Sequence, residues 1–552
     1  MSEKGARFPP GGIPMVPDAR GGGLPPGRRR RDAGLWASGR GLHPLPVKRH
    51  VAGRWLYAGA FLLFGIVLVR TAWMSDDGFI TFRTLDHFVR GDGLRFNPDE
   101  RVQSYTHPLW LLLLAPAYAV TREAFYGPLG LSIAVTGLAG LVFSRRGVAS
   151  AGVGAAAILC LLGSKAFVDY ATSGLENPLT YLLLALFYVA YGEETPPRRR
   201  LVRTVLLASL LALNRMDALL LVLPGVLVAA HAAARSGERW DALAGSALVA
   251  ASPLLLWLGF SLVYYGTVFP NTAYAKLDTG IAAGELVSQG LAYLAASLRF
   301  DPVTPVVIAA GVLAAFLRRR AGLAPLALGV VLHLAYTVRI GGDFMLGRHL
   351  AAPFFASLML LFRLRLPPRA YGALAAAILS VSLVYPTAPL RSGRDLHDRD
   401  LDRIIRNRGI ADERAFYYRS QGLLSPARET PFRIAPACGP DDPRLVVRRG
   451  CSALGITGLR TCRGSHVVDP CGLADPLLAR LPAAPTPRWR VGHPLRRLPT
   501  GYVESLRRRA NLVEDPAIRD LYADVREATR GALLSRRRWA AIWRLHFHDY
   551  GI

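Results

Sequence analysis

Apolar and polar positions divide this chain into long hydrophobic runs separated by short charged stretches. The first run, Arg54 to Trp73, has the length of a membrane span, which needs about 20 apolar residues. At Ser75 the period changes. Ile80, Phe82, Leu85, Phe88 and Val89 recur at helical spacing, with Arg83, Asp86, His87 and Arg90 between them. That pattern predicts an amphipathic helix, ended by Gly91, Gly93, Asn97 and Pro98. Pro108 to Val120 is apolar but too short to cross, and is expected to lie in or dip into the outer leaflet. Further apolar runs follow at Phe125–Ser144, Val148–Ser164, Leu179–Tyr191, Leu201–Leu213, Ala218–Ala230, Ala242–Tyr264, Pro302–Leu317, Leu323–Val338, Leu350–Phe362 and Tyr371–Pro386, with a surface helix ahead of Pro302. From about Arg391 onward no run has the length of a span.

Charge orients this pattern. Arginines cluster at Arg145–Arg146, Arg198–Arg200, Arg235–Arg239 and Arg318–Arg320, and positive loops stay cytoplasmic. The expected fold is mainly α: a polytopic membrane helical bundle of about 11 spans, with a cytoplasmic N-terminus and an external C-terminus. Residues 1–50, rich in Pro, Gly and Arg and including Arg28–Arg31, are expected to be a disordered basic cytoplasmic tail. Residues 51–390 would form the membrane domain, its first outer loop spanning 74–110. Residues 391–552 would form a small external α/β domain.

Composition narrows the function classes. The chain is 51% hydrophobic, which excludes a soluble multidomain enzyme. Its net charge of +28 sits at the ends of apolar runs and in the tails, without a nucleic-acid motif, so nucleic acid is not an expected partner. Of the five cysteines, Cys160 lies in an apolar run. Cys438, Cys451, Cys462 and Cys471 fall in the external tail, where two disulfides in one of three connectivities are expected and zinc is the alternative.

Under this topology the polar motifs gather at the outer boundary, whereas the cytoplasmic loops carry plain arginine runs. A transporter keeps its polar residues near the midplane of its spans, so the layout points to an enzyme with an outward-facing site. The gathered residues are Asp76, Asp77, Arg83, Asn97, His107, Glu176, Arg215, Asp217, Asn271, Tyr274, Lys276, Asp343, Arg348 and His349. Each also has a local explanation. Ser75 and Asp76 suit a helix N-cap, Glu176 can cap the helix after Pro178, Arg215 and Asp217 can pair across a turn, and Asn271 suits turn chemistry. Glycosyl transfer fits the set: a lipid-phosphate sugar enters from the outer leaflet, Arg and Lys stabilise the departing phosphate, and a carboxylate takes the acceptor proton. Asp76 and Asp77 are the candidate base and the candidate ligands of a divalent cation. A glycolipid flippase and an envelope-assembly scaffold are the competing classes.

The stretches SDDGFITFR and GDGLRFNPDERVQSYTHPLW, then TSGLENPL, FPNTAYAK and GGDFMLGRH, and in the tail VVDPCGLADPLLARLP and GHPLRRLPTGY, occur in this order. Together they resemble the C-type (GT-C) membrane glycosyltransferases related to the terminal arabinofuranosyltransferases of cell-wall arabinan. The resemblance implies a GT-C helical membrane domain with a periplasmic C-terminal domain, in a bacterial inner membrane. It implies a polyprenyl-phosphate sugar donor such as decaprenylphosphoryl arabinofuranose and a cell-envelope glycan acceptor. Asp76 and Asp77 carry over as the catalytic acidic pair. Arg83, Asn97, His107, Glu176, Arg215, Asn271, Lys276, Asp343, Arg348 and His493 are the expected substrate-binding residues. The chain departs from the family pattern at Gln103–His107, where Glu-Gly-Tyr-Thr-Asn is common, at Met216, where proline is usual, and in its four tail cysteines. A loop from Val467 to Tyr502, stapled by the cysteines, is expected to roof the acceptor groove above Asp76 and Asp77.

Overall fold

The computed structural model describes residues 51–277, 279–318, 322–392, 407–428, 432–451, 453–485 and 490–552. The basic tail expected over residues 1–50, and Arg319 and Arg320, lie outside the described residues. The described residues form one compact unit.

The first apolar run is α1 (Val51–Thr71), and the amphipathic stretch after it is α2 (Asp76–Val89). Ser75 starts α2 by accepting a hydrogen bond from the Gly78 N–H at 3.3 Å, the expected N-cap. Then come α3 (Pro108–Thr121), α4 (Tyr126–Arg146), α5 (Ala151–Leu162), α6 (Lys165–Asp169), α7 (Asn177–Gly192) and α8 (Pro197–Asn214). A 3₁₀ turn at Met216–Ala218 leads into α9 (Leu219–Ala234) and α10 (Trp240–Tyr265). The short α11 (Asn271–Leu277) precedes α12 (Ala283–Phe300), which meets α13 (Val303–Leu317) at 109°. That corner is where a surface helix was expected to turn into a span. The bundle closes with α14 (Leu323–Arg339), α15 (Arg348–Phe362) and α16 (Pro368–Val384).

Among the described residues, four helices are long and apolar enough to cross a membrane: Gly53–Thr71, Tyr126–Arg146, Met216–Ala234 and Trp240–Tyr265. The bent pair makes a fifth if counted as one span, and six more apolar helices are 10–17 residues long. The chain is a mainly α, multi-pass membrane protein, as its hydropathy pattern implies. The expected count of about 11 spans requires shorter helices to cross as well.

The C-terminal part contributes α17 (Glu413–Gln421), α18 (Leu454–Arg460), α19 (Tyr502–Arg508), α20 (Pro516–Arg530) and α21 (Arg536–Phe547). Strands β1 (Leu445–Val447) and β2 (His466–Val468) pair in parallel, with Leu445 opposite His466. This part sits directly on the loops of the bundle. Arg83 of α2 donates to the carbonyls of Phe96, Gly458, Thr461 and Ser465. Asn97 donates to the Val467 carbonyl and accepts from its N–H. Asn271 donates to the carbonyls of Gly472, Leu473 and Asp475. A buried cluster of Lys165, Asp169, Asp412 and Arg414 ties α6 to the start of α17, with Arg414 Nε 2.6 Å from Asp169 Oδ1.

The four tail cysteines form Cys438–Cys462 and Cys451–Cys471, which selects one of the three connectivities and leaves no thiolate set for zinc. Both crosslinks brace the segment that docks on α2. Mass spectrometry of oxidised protein is expected to recover these two pairs and no others. Reduction is expected to lower stability by about 2–4 kcal/mol per bridge, read as a fall in unfolding midpoint.

Candidate active site

The site is built where helix ends meet beneath the docked C-terminal part. Gly329 lets α14 press against α9: a Cβ there would lie 2.1 Å from the Leu221 carbonyl oxygen. That close crossing brings His333 of α14 to the turn holding Arg215 and Asp217, with His333 Nε2 3.3 Å from Asp217 Oδ2. The turn before α15 supplies Asp343, and the first two residues of α15 are Arg348 and His349. These groups surround a cavity of about 600 Å³. Glu176, Arg215, Asp217, Lys276, Asp343, Arg348, His349 and Arg490 form its polar end. Leu213, Leu220, Leu254, Trp257, Leu258 and Phe269 form an apolar wall continuous with α8, α9 and α10.

Glu176 organises the polar end. Its Oε1 accepts from Arg215 Nη1 at 3.1 Å and from Arg348 Nη2 at 3.2 Å, and its Oε2 lies 3.3 Å from His107 Nδ1. Burial alone would raise this carboxyl, but Arg348, His107 and Arg215 outweigh it and hold Glu176 well below the ordinary range. Arg215 also donates to Asp217 Oδ1 at 2.8 Å and to His349 Nε2 at 2.9 Å. Arg348 Nη1 lies 3.8 Å from Asp343 Oδ2 and 3.9 Å from Asp77 Oδ2. Lys276 is exposed, and among the described residues no carboxylate oxygen lies within ion-pair distance of its ammonium. Two guanidinium groups, each paired with carboxylates, and an unengaged ammonium converge on one end of the cavity.

The two aspartates at the start of α2 point differently. Asp76 turns to the first turn of α18, accepting from the N–H groups of Gly455 at 3.1 Å and Ile456 at 2.8 Å. Gly455 is needed for this approach, since a Cβ there would lie 1.9 Å from the Asp76 carbonyl oxygen. Burial and the neighbouring Asp77 raise Asp76 to about 6, against those two N–H bonds and Arg448. Asp77, a fifth exposed, faces Arg348 at the cavity's edge. Burial lifts its pKa, with Asp343 and Glu176 adding to the rise and Lys276 and Arg348 opposing it. A raised carboxylate beside a cationic pocket is a stronger base than a free one.

The sequence-derived residues therefore separate into three groups. Glu176, Arg215, Lys276, Asp343 and Arg348 line the cavity, while Asp77 and His107 adjoin it. Asp76, Arg83, Asn97 and Asn271 have their polar atoms taken up in holding the C-terminal part against the bundle. His493 packs edge-on against Phe344, with ring centroids 4.2 Å apart, behind the Arg490–Gly492 wall. Two further groups escape sequence reasoning. His333 lies inside an apolar run, and its only signal was a lone polar residue there. Glu413 lies in the tail, where no motif marked it; its Oε1 is 3.3 Å from Arg490 Nη2.

Burial, with Asp77, Asp76 and Asp343 nearby, outweighs Arg490 and lifts Glu413 to about 8. The folded protein thus holds a proton on Glu413 at neutral pH. The stability linked to it is present below the ordinary carboxyl pKa and is lost as pH rises through about 8. Glu413→Gln is expected to flatten the fall in melting temperature between about pH 4.5, the ordinary carboxyl value, and about 8, and to leave the slope above that range unchanged. An identical fall across that range in both proteins would contradict this assignment.

The residues fit a divalent cation poorly. Asp76 spends its oxygens on backbone N–H groups, so the acidic pair does not converge on one ion. Asp217, His333 and His349 bring one ligand atom each within 4.8 Å of one another. Arg215, however, donates to both Asp217 and His349 and sets its positive charge against that group.

Fold and site together define a multi-pass membrane protein with a cavity lined by charged groups of both signs at one end and by apolar side chains at the other. No family model matches the chain. The chain is 31% identical over 350 residues to the terminal beta-(1->2)-arabinofuranosyltransferase of Mycobacterium tuberculosis, covering 55% of this chain and 54% of that protein. It is 30% identical over 339 residues to the enzyme of the same name from Corynebacterium glutamicum, covering 52% and 47%. The chain thus spans about half the length of the curated relatives it matches. Among solved structures, ArnT from Cupriavidus metallidurans bound to undecaprenyl phosphate aligns with a TM-score of 0.42 at 14% identity, over 60% of this chain and 64% of that one.

Proposed function

We propose that this protein is an inverting glycosyltransferase. It moves a sugar, arabinofuranose in the first instance, from a polyprenyl-phosphate donor to a cell-envelope glycan at the outer face of a bacterial plasma membrane. The observation that carries this reading is the divided cavity, with the Arg215–Arg348–Lys276 group at one end and a leucine and tryptophan wall at the other. A prenyl chain fits the wall and its phosphate fits the cations. The relatives' names supply the sugar.

In the reaction, Asp77 takes the proton from the acceptor hydroxyl as its oxygen bonds to the anomeric carbon. The bond from that carbon to the phosphate oxygen breaks on the opposite face, and the lipid phosphate leaves with the electron pair. Arg215, Arg348 and Lys276 stabilise the charge it gains. Asp76 acts as a positioning residue, holding α18 and the roof of the site in place. No step needs a metal.

Reconstituted protein given labelled polyprenyl-phosphate arabinofuranose and an arabinan acceptor is expected to form a new glycosidic linkage. Passage of the labelled lipid across the bilayer with no product would favour a flippase and overturn the proposal. The topology proposed with it, about 11 spans with the N-terminus inside, is tested by reporter fusions. Reporters at Asp169–Pro178, at Gly266–Lys276 and after Ile552 are expected outside, and one at Arg198–Arg200 inside. An external signal at Arg198 would invert the scheme.

A further inference from the structure

The C-terminal helix α21, Arg536–Phe547, has a face that the transfer reaction does not use. Its inner side is well packed. Arg538, Ala541 and Ile542 are buried, and Arg538 donates to the carbonyls of Ala528 and Leu533. Its outer side carries a stripe at helical spacing, Ala540, Trp543 and Phe547, reached from Leu534 just before the helix. Leu534 is 80%, Trp543 66% and Phe547 70% exposed, far beyond what a water-facing surface needs from its largest apolar side chains. The Trp543 and Phe547 rings lie 4.3 Å apart, so they form one patch. Arg536 and Arg537 are exposed at its start, while Arg544 is engaged by Asp524.

What covers this patch follows from where the helix is anchored. Arg538 Nη2 donates to the Tyr264 carbonyl at 3.1 Å, in the last turn of α10. Ile542 touches Gly266, the residue that ends α10. Helix α10 is the candidate span with the least protein around it: 11% of its apolar window is buried, and Leu256, Phe260 and Val263 stand exposed along it. Its 26 residues extend roughly 39 Å, longer than a hydrocarbon core of about 30 Å. Its last turn therefore reaches headgroup depth. The patch on α21 thus belongs to a helix anchored at that depth.

We propose that α21 is an interfacial membrane helix: Leu534, Trp543 and Phe547 insert at the headgroup boundary beside the end of α10, and Arg536 and Arg537 hold anionic lipid headgroups. A basic helix with a Trp/Phe face lying in the interface plane binds in this way. The helix would fix the C-terminal part at a set height over the donor entrance. This inference rests on the reading of α10 as a span, and is independent of whether the protein transfers a sugar.

The test uses the full chain in vesicles of phosphatidylcholine and phosphatidylglycerol brominated near the headgroup. The emission difference between the protein and Trp543→Phe isolates Trp543, an exposed position where phenylalanine keeps the fold. That difference signal is expected to lose most of its intensity in brominated vesicles, more with brominated phosphatidylglycerol than with phosphatidylcholine. The Arg536→Gln, Arg537→Gln double variant is expected to abolish the preference for the anionic lipid. An unquenched difference signal overturns the proposal, and a dimer found in the same sample would then assign the face to a second copy. Equal quenching by both lipids in the unaltered protein overturns the headgroup assignment. Loss of sugar transfer leaves every one of these readings in place.

Discussion

Asparagine at position 77 is expected to lower turnover by about 10²–10⁴-fold, the loss typical of removing a general base. Asp77 stands at the cavity edge facing Arg348, with a carboxylate made more basic by burial. Asparagine keeps its shape and cannot take the proton. Because Asp77 is partly exposed, the variant is expected to fold and to bind donor nearly as before, so the loss should appear in kcat. Asp76→Asn provides the contrast. An amide oxygen can still accept from one of the two α18 N–H groups, so its first effects are expected on melting temperature and on acceptor KM. If Asp76→Asn removed turnover at unchanged stability while Asp77→Asn stayed active, the two roles would be reversed.

Arg348→Gln is expected to be the second most damaging change. Arg348 faces three carboxylates, Glu176, Asp343 and Asp77, and lines the cavity. Truncation leaves a buried negative cluster with Arg215 as its main remaining partner. Breaking a buried pair by removing one partner costs about 3–5 kcal/mol. Here that cost is expected to divide between a lower unfolding midpoint and a weaker donor affinity. Arg348→Lys should recover the charge but not the fork that reaches Glu176 with Nη2 and Asp343 and Asp77 with Nη1, giving partial rescue of affinity. Donor titration with an unhydrolysed analogue separates the two effects. Unchanged affinity in the glutamine variant would remove Arg348 from the phosphate site.

Much of this was legible in the sequence because periodicity and punctuation are local signals. The boundary between α1 and α2 follows from Ser75 and the change of apolar period, and the turn holding Arg215 and Asp217 follows from the break between two apolar runs. The co-location of Glu176, Arg215, Asp343 and Arg348 was inferred from topology alone; the structure joins Arg215 and Arg348 through Glu176 and places Asp343 beside Arg348. What could not be read was the division of labour. Asp76 and Asp77 are adjacent in sequence, yet the roughly 100° between consecutive helix positions aims them at different neighbours. Arg83, Asn97 and Asn271 look like ligand-binding residues because polar groups at an outer boundary suggest substrate. Their partners are backbone carbonyls and N–H groups of the C-terminal part, hundreds of positions away. Glu413 owes its importance to the same long-range contact, and nothing near it in the chain foretells that it meets Arg490 and the acidic pair. The cysteine connectivity was likewise open until the docked segment fixed which thiols meet.

The central claim is that the divided cavity holds a lipid phosphate with its sugar turned toward Asp77. The most direct measurement is a structure of the protein with a non-transferable polyprenyl-phosphate sugar analogue. The expected result places the phosphate within hydrogen-bond reach of Arg215, Arg348 or Lys276, the prenyl chain along Leu254, Trp257 and Leu258, and the anomeric carbon on the side facing Asp77. A phosphate bound away from all three cations, or a sugar lying out of reach of Asp77, would contradict it.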